Sequence, residues 1–464
     1  MCAMRCLPAV AAIVLLLSAA VTGRAAAEPD PVPPFALPQI SLPSLPGLID
    51  SVIPPPPISP APQEPWSVAA ASGLPPSLAA LRQAVLPGEV GDPMFDEWPA
   101  NLADAAPGDV LATRDVTASA APLLLVPIRQ ALLLKFRTTD SHGVPSYGTA
   151  TLVIPAAAWP GPGDRPVVVN NLPIDALGRA CDPSYTLAHG FSFSSTNLSD
   201  FVPPTTQLAA LRGYAVLIPD HEGPWMAYAE PIVAGHIVLD AIRAVRGTRP
   251  AEFGASRFGM TGYSGGAIAT HGAVKLIDDY APELADVIVG AALGGVPADF
   301  ELLSRSMNAN LASAVFMAAV FGIGRERPEI LAHMNNLAQW VATSPMKDTC
   351  AGLFALPGVL MLPIDVAANM PDPLHSELAA DIYATTRMAG MKSAVPLYIY
   401  NGEQEFWIPA EGARNLYREQ CALGAPAVYR SVFGEHIIAA AVGYPEAIGW
   451  LDQRLQGAPA PDEC

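Results

Sequence analysis

The sequence predicts an α/β fold, with a mainly parallel central sheet covered on both faces and a helical insertion forming a cap over one sheet edge. Three observations carry this reading. Short apolar runs of strand length recur from Leu132 onward, including PVVVN (166–170), YAVLIPD (214–220), FGMTGY (258–263), VIVGAAL (287–293), PLYIYNG (396–402) and VYRSVFG (428–434). Helical patterns such as AGHIVLDAIRAVRG (234–247) lie between several of them. Strands that are apolar along their whole length are buried on both faces, and alternation with helices supplies the parallel crossovers. The third observation is a break in that rhythm. Residues 299–392 contain helical stretches, NLASAVFMAAVFG (310–322) and EILAHMNNLAQWVA (329–342), and an apolar, proline-broken AGLFALPGVLMLPIDVAANM (351–370), but nothing that reads as a strand.

In chain order, residues 1–27 read as a secretory signal peptide. Arg5 supplies the positive charge, Leu7 to Val21 the apolar segment, and Ala25-Ala26-Ala27 a small-residue cleavage site. The apolar run is short for a membrane span, and no later stretch is long and uninterrupted enough to cross a bilayer, so the mature chain is expected to have no transmembrane span. Residues 28–66 form a proline-rich leader (PVPPF, SLPSLPG, IPPPPISPAP), expected to be extended and semi-rigid because proline cannot continue helices or central strands. The core resumes over 67–298, the cap occupies 299–392, and the core closes over 393–464. LLLKF (132–136) and GTATLVI (148–154) are expected to pair as strands across the turn SHGVPS.

Composition excludes some functions. The chain has 464 residues, is 51% apolar and only 15% charged, and carries a formal net charge of −18. An anionic surface without a basic patch repels phosphates, so no nucleic-acid partner is expected. Loss of the signal removes Cys2 and Cys6 and leaves Cys181, Cys350, Cys421 and Cys464. An even number in an exported chain implies two disulfides, with three pairings open. None has metal-ligand spacing, and no metal site is expected.

The chemistry centres on Gly262-Tyr263-Ser264-Gly265-Gly266, a G-x-S-x-G pattern between the run FGMTGY and the helix-compatible AIATHGAVKLI. On such a strand-to-helix elbow the serine hydroxyl projects above the sheet. The helix N-terminus beside it offers backbone N–H groups to a developing oxyanion. A serine nucleophile needs a base, and the base an orienting acid, following here in the order acid, then histidine. Of the later histidines, His333 and His375 fall in the cap, whereas His436 follows the last strand and opens a helix; His271, on the elbow's own helix, reads as structural. The acid is expected after PLYIYNG, where Gly402-Glu-Gln-Glu405-Phe-Trp-Ile-Pro409 puts Glu405 in the slot of a G-x-x-D-x-x-x-P pattern, with Glu403 as the alternative. A second oxyanion donor is expected from the loop NLPIDALGRACDPSY (171–185). Asp220-His221-Glu222 could be mistaken for a metal cluster and are read as structural.

These features converge on a resemblance. PGDVLATRDV, Asp175 with Cys181 in DALGRACDPSY, IPDHEGP (218–224), GYSGGAIAT with YAPEL downstream, the acid loop ending at Pro409, REQCALGAP and GEHIIAA together resemble the secretory lipase family, of the yeast lipase A type with an actinobacterial branch, from about residue 107 to 457. The resemblance implies an α/β-hydrolase with a helical cap that cleaves carboxylic esters of fatty acids, acylglycerols included. It implies catalytic Ser264, Glu405 and His436, an oxyanion hole from the N–H groups of Asp175 and Gly265, and disulfides Cys181–Cys350 and Cys421–Cys464. No cofactor is implied. The partner is a lipid or ester substrate; the absence of a basic patch argues against anionic membranes but leaves an oil–water interface open, where apolar contacts dominate. The cap's Leu, Met, Phe and Val residues suit an acyl chain. The departure is Glu405, since the family usually has aspartate there. The competing reading is a catalytically impaired family member acting as an envelope or surface binding protein.

Overall fold

The computed structural model describes residues 45–60, 73–100 and 102–464. The expected signal peptide and most of the proline-rich leader lie outside the described residues. Among the described residues nine strands form one sheet: β1 (Val110–Asp115), β2 (Ile128–Thr139), β3 (Pro145–Pro155), β4 (Val167–Asn171), β5 (Ala215–Pro219), β6 (Phe258–Tyr263), β7 (Ile288–Gly294), β8 (Leu397–Gly402) and β9 (Ala427–Val432). Their order is β1-β2-β3-β5-β4-β6-β7-β8-β9. The first four in this order pair antiparallel; from β5 to β9 every neighbour is parallel. The expected hairpin forms, with Leu132 opposite Leu152 and Phe136 opposite Gly148.

Burial explains the strand composition. β4 and β5 are buried at every residue, as VVVNN and AVLIP suggest. Helices Pro231–Thr248 and Gly265–Tyr280 pack on one face, burying Ile237, Val238, Ile242, Val274 and Ile277 against Val169, Leu217 and Met260. The other face carries Tyr398, Tyr400 and Val168 beneath Ile448, Trp450 and Leu451 of helix His436–Leu455. Buried apolar area of this kind is the main favourable term in folding, at ~25 cal/mol per Å².

Between β7 and β8 the chain forms helices and turns, with one isolated bridge between Met334 and Ala368. The principal helices are Phe300–Met307, Ser313–Glu326, Asn336–Ala342 and Glu377–Arg387. Arg325 fastens this layer to the core. Its buried guanidinium donates to the carbonyls of Leu177 (2.7 Å), Trp225 (3.0 Å), Met226 (3.1 Å) and Lys347 (2.8 Å). The disulfide Cys181–Cys350 adds a covalent tie, and Cys421–Cys464 secures the carboxyl terminus. These are the two pairings the family resemblance implies.

Two elements depart from expectation. β1 was not expected, because VLATRD has no apolar run: its residues are half-buried or exposed on an edge strand held by β2. In the leader, where extended chain was expected, Leu45–Val52 is helical. The prolines there are spaced so that LPGLIDSV carries only one of them, in the first turn, where a missing N–H costs nothing. Among the described residues no helix is long and apolar enough to cross a membrane.

Candidate active site

The site lies along the carboxyl ends of the parallel strands. Asp175 follows β4, Asp220 to Glu222 follow β5, Ser264 follows β6, Glu405 follows β8 and His436 follows β9. In open parallel sheets this edge is where loops converge and ligands bind.

Ser264 caps helix Gly265–Tyr280 at φ 54°, ψ −123°, a left-handed conformation that costs a non-glycine residue on the order of 1–3 kcal/mol. Its surroundings enforce the turn. A Cβ on Gly262 would stand 2.1 Å from the Gly266 carbonyl oxygen, and one on Gly266 would stand 1.9 Å from that of Asn171. The glycines are therefore required by close backbone approach. The Ser264 N–H donates to the Gly294 carbonyl at 3.0 Å, anchoring the elbow to β7.

The three residues expected as a triad are brought together. The Ser264 hydroxyl is 3.0 Å from Nε2 of His436, and Nδ1 of His436 is 2.6 Å from Oε2 of Glu405. The Glu405 side chain is fully buried and that of His436 6% exposed. The other carboxylate oxygen, Oε1, accepts the backbone N–H groups of Trp407 (2.8 Å) and Ile408 (3.2 Å). Burial pushes the Glu405 pKa up, but its bond to His436, the imidazole charge and these two N–H groups outweigh it and hold the carboxyl below its ordinary value. The imidazole lies near the rings of Tyr263 and Trp407, and the Tyr263 hydroxyl donates to the His436 carbonyl at 2.7 Å. Glu403, the alternative acid, is elsewhere: its carboxylate accepts from Ser431 at 3.3 Å on an exposed surface. His271 is buried in its helix, and His375 pairs with Asp372 on the cap's exterior.

The loop after β4 crosses the elbow. Asp175 is also left-handed, at φ 46°, and its Oδ1 lies where a Cβ on Gly265 would be, 1.9 Å away. Burial raises the Asp175 carboxyl to about 6, against the opposing pull of His436 and a hydrogen bond from Tyr228. Asp220-His221-Glu222 tie this loop down from β5. Asp220 accepts from Thr149 (2.6 Å) and from the Ser184 N–H (3.0 Å). His221 Nε2 donates to the Leu172 carbonyl at 2.8 Å. The Glu222 carboxyl accepts the Ala176 N–H at 3.3 Å and lies against that of Asp175. Sequence reading left out Tyr228, Tyr263 and Trp407: the last two fill variable positions of the serine and acid-loop patterns, and Tyr228 lies in a stretch with no motif of its own.

A cavity of about 720 Å³ opens at Ser264 and His436 and runs beneath the cap, lined by Phe300, Leu303, Phe316, Val320 and Ile382 among others. Its wall is overwhelmingly apolar. With the strained serine, a hydrogen-bonded base and an N–H-rich helix start, the arrangement can attack a carbonyl attached to an apolar chain.

The family model described as secretory lipase matches residues 205–463. A Mycobacterium tuberculosis protein named as a probable inactive lipase is 29% identical over 86% of this chain and 91% of its own length. Lipase 10 of Candida albicans is 27% identical, covering 80% of this chain and 82% of its own. Among solved structures, Candida antarctica lipase A in its closed state is similar at a TM-score of 0.69 and 26% identity, over 81% of this chain and 88% of that one.

Proposed function

The chain belongs to the secretory lipase family, and from that premise we propose that it is a secreted serine hydrolase that cleaves carboxylic esters of fatty acids through an acyl-enzyme on Ser264. The observation that carries the reading is the hydrogen-bonded line from Ser264 through His436 to Glu405, ending on the backbone N–H groups of Trp407 and Ile408.

In this mechanism Nε2 of His436 takes the Ser264 proton as the hydroxyl oxygen attacks the ester carbonyl. The N–H of Gly265, at the helix start, and that of Asp175 bind the oxyanion, each worth roughly 3 kcal/mol in comparable sites. His436 then protonates the departing alcohol, and water enters by the same route in reverse to release the acid. Glu405 holds Nδ1 protonated and stabilises the imidazolium. The acyl chain lies in the apolar cavity beneath the cap. A strongly acidic exported chain with an apolar site suits uncharged lipid at an oil–water interface.

The test is hydrolysis of p-nitrophenyl esters of increasing chain length by the chain starting at Glu28, beside Ser264→Ala. The reading requires turnover that Ser264→Ala lowers by about 10⁴-fold or more. Inertness of the wild type on every ester would favour the competing reading, a catalytically impaired surface binding protein.

A further inference from the structure

The segment Leu45–Pro60 is not used by this mechanism and lies outside the residues matched by the family model. It is nonetheless built into the cap. The Asp50 carboxylate accepts the N–H of Asn336 at 2.7 Å, at the exposed start of helix Asn336–Ala342. The Asn336 side-chain amide donates to the Ile53 carbonyl (2.8 Å), and the Trp340 indole N–H donates to that of Pro54 (2.8 Å). Ile49 is buried at 8% exposure, while its neighbour Leu48 is 48% exposed. Helix Leu45–Val52 packs against helix Asn336–Ala342 and the turn Ile364–Val366. Further on, Ile58 packs into a cluster with Leu331, Met334 and Phe321.

The inner faces of the same elements line the cavity that opens at Ser264. Leu331, Met334, Ala338, Ile364 and Ala367 contribute to its wall. Asn335 stitches that wall from within: its N–H donates to the Ala367 carbonyl at 2.9 Å, and its side-chain amide to those of Val366 (2.9 Å) and Ala368 (3.1 Å). The wall is thus one layer of residues thick, with cavity on one side and the 45–60 segment on the other. An apolar wall this thin keeps its shape only if its outer surface is held, because local opening costs little where few buried contacts resist it.

We infer that residues 45–60 form a strap that fixes the distal wall of the acyl cavity and thereby determines how well long acyl chains are used. The inference rests on the ester-hydrolase reading for its substrate, but not for its geometry. A short acyl chain fills only the part of the cavity beside Ser264. A long chain reaches the wall and needs it ordered before binding.

The test compares Ile49→Asp, which breaks the buried anchor, with Leu48→Asp, which places the same charge on the strap's exposed side, both in the chain starting at Glu28. Two quantities are read: kcat/KM for p-nitrophenyl butyrate and palmitate, and amide hydrogen exchange at Asn335, Asn336 and Ala367. Ile49→Asp is expected to speed exchange at those amides by about tenfold or more. It is also expected to lower the palmitate-to-butyrate ratio by about fivefold or more while butyrate hydrolysis stays within about twofold. Leu48→Asp should change neither. Equal losses on both esters, an unchanged ratio, or equal effects of the two variants would overturn the strap. If the wild type hydrolyses neither ester, the function reading has failed. The strap is then judged on exchange and on binding of the fluorescent fatty acid cis-parinaric acid, and is overturned if Ile49→Asp alters neither.

Discussion

At Glu405 the extra methylene relative to aspartate is absorbed by the loop around it. One oxygen reaches Nδ1 of His436 at 2.6 Å while the other sits on the N–H groups of Trp407 and Ile408. A carboxylate drawn back by roughly 1 Å would lose one set of partners or the other. Glu405→Asp is therefore expected to lower kcat by about 10-fold or more rather than raise it, and Glu405→Gln, which no longer fixes the imidazole tautomer, by about 10⁴-fold. Steady-state kinetics on a short ester distinguish these outcomes. Glu222 makes a second prediction at this scale. Removing its carboxyl leaves the buried Ala176 N–H unpaired and frees the loop carrying Asp175. Glu222→Ala should cost about 10–100-fold, mainly in kcat, because the Asp175 N–H, as the proposed oxyanion donor, would act only in the transition state. Glu222→Gln, which keeps an acceptor, should restore most of it; a loss confined to KM would exclude the positioning role. The juxtaposition of Ser264, His436 and Glu405 was legible in the sequence because chain order and the glycine pattern single them out. Tyr228 and Glu222 were not legible as site residues. Their contact with the Asp175 loop arises only when β5 comes to lie beside β4, a pairing that no local pattern encodes.

At the scale of elements, most of the parallel strands were legible because burial on both faces makes them largely apolar. β1 and the helix Leu45–Val52 were not. An edge strand with half-exposed residues shows no period, and an eight-residue helix is marginal by itself and is held by tertiary contacts. The disulfide Cys181–Cys350 joins two elements that the site needs in register, the loop after β4 and the cap. A backbone bond from the Leu177 N–H to the Thr349 carbonyl, at 3.0 Å, runs beside it. Replacing both cysteines by alanine is expected to cost about 2–4 kcal/mol in stability, seen as a lower melting midpoint. Hydrolysis of long-chain esters should weaken more than that of short ones, since the cap and the loop carrying Asp175 lose their common tether. Equal melting midpoints for the two forms would contradict the structural role of this bridge.

Across the whole molecule, an unusual number of carboxyl groups are buried. Burial raises Glu326 to about 7 and lifts Asp182, Asp200, Asp220 and Glu222 above the ordinary carboxylate range, with repulsion from neighbouring carboxylates adding to it at Asp182, Asp200 and Glu222. In the unfolded chain all of these are ionised above about pH 5. The folded state therefore binds more protons than the unfolded one, and stability must fall as pH rises through the folded values. Burial lowers His221 and His236 to about 4, which works in the opposite sense, but only below the ordinary histidine value near 6.5. Between pH 7 and 8 the carboxyl contribution stands alone among these groups. The melting midpoint is expected to drop by ~2 °C or more across that interval, and a rise would contradict the assignment. Toward acid the sign reverses, because Asp92 is held well below its ordinary value by its bond to Arg114 and Glu405 by its bonds to His436 and two N–H groups. Their contribution is present above about pH 4 and disappears as pH falls through their folded values.

Stoichiometric labelling separates an activated Ser264 nucleophile from an inert serine. A long-chain p-nitrophenyl alkylphosphonate, mixed with the chain starting at Glu28, is predicted to release about one equivalent of p-nitrophenol per chain. The phosphonyl mass should sit on the peptide containing Ser264, and His436→Ala should slow the release by about 10³-fold or more. Absence of release, or a label on any other residue, would contradict the account.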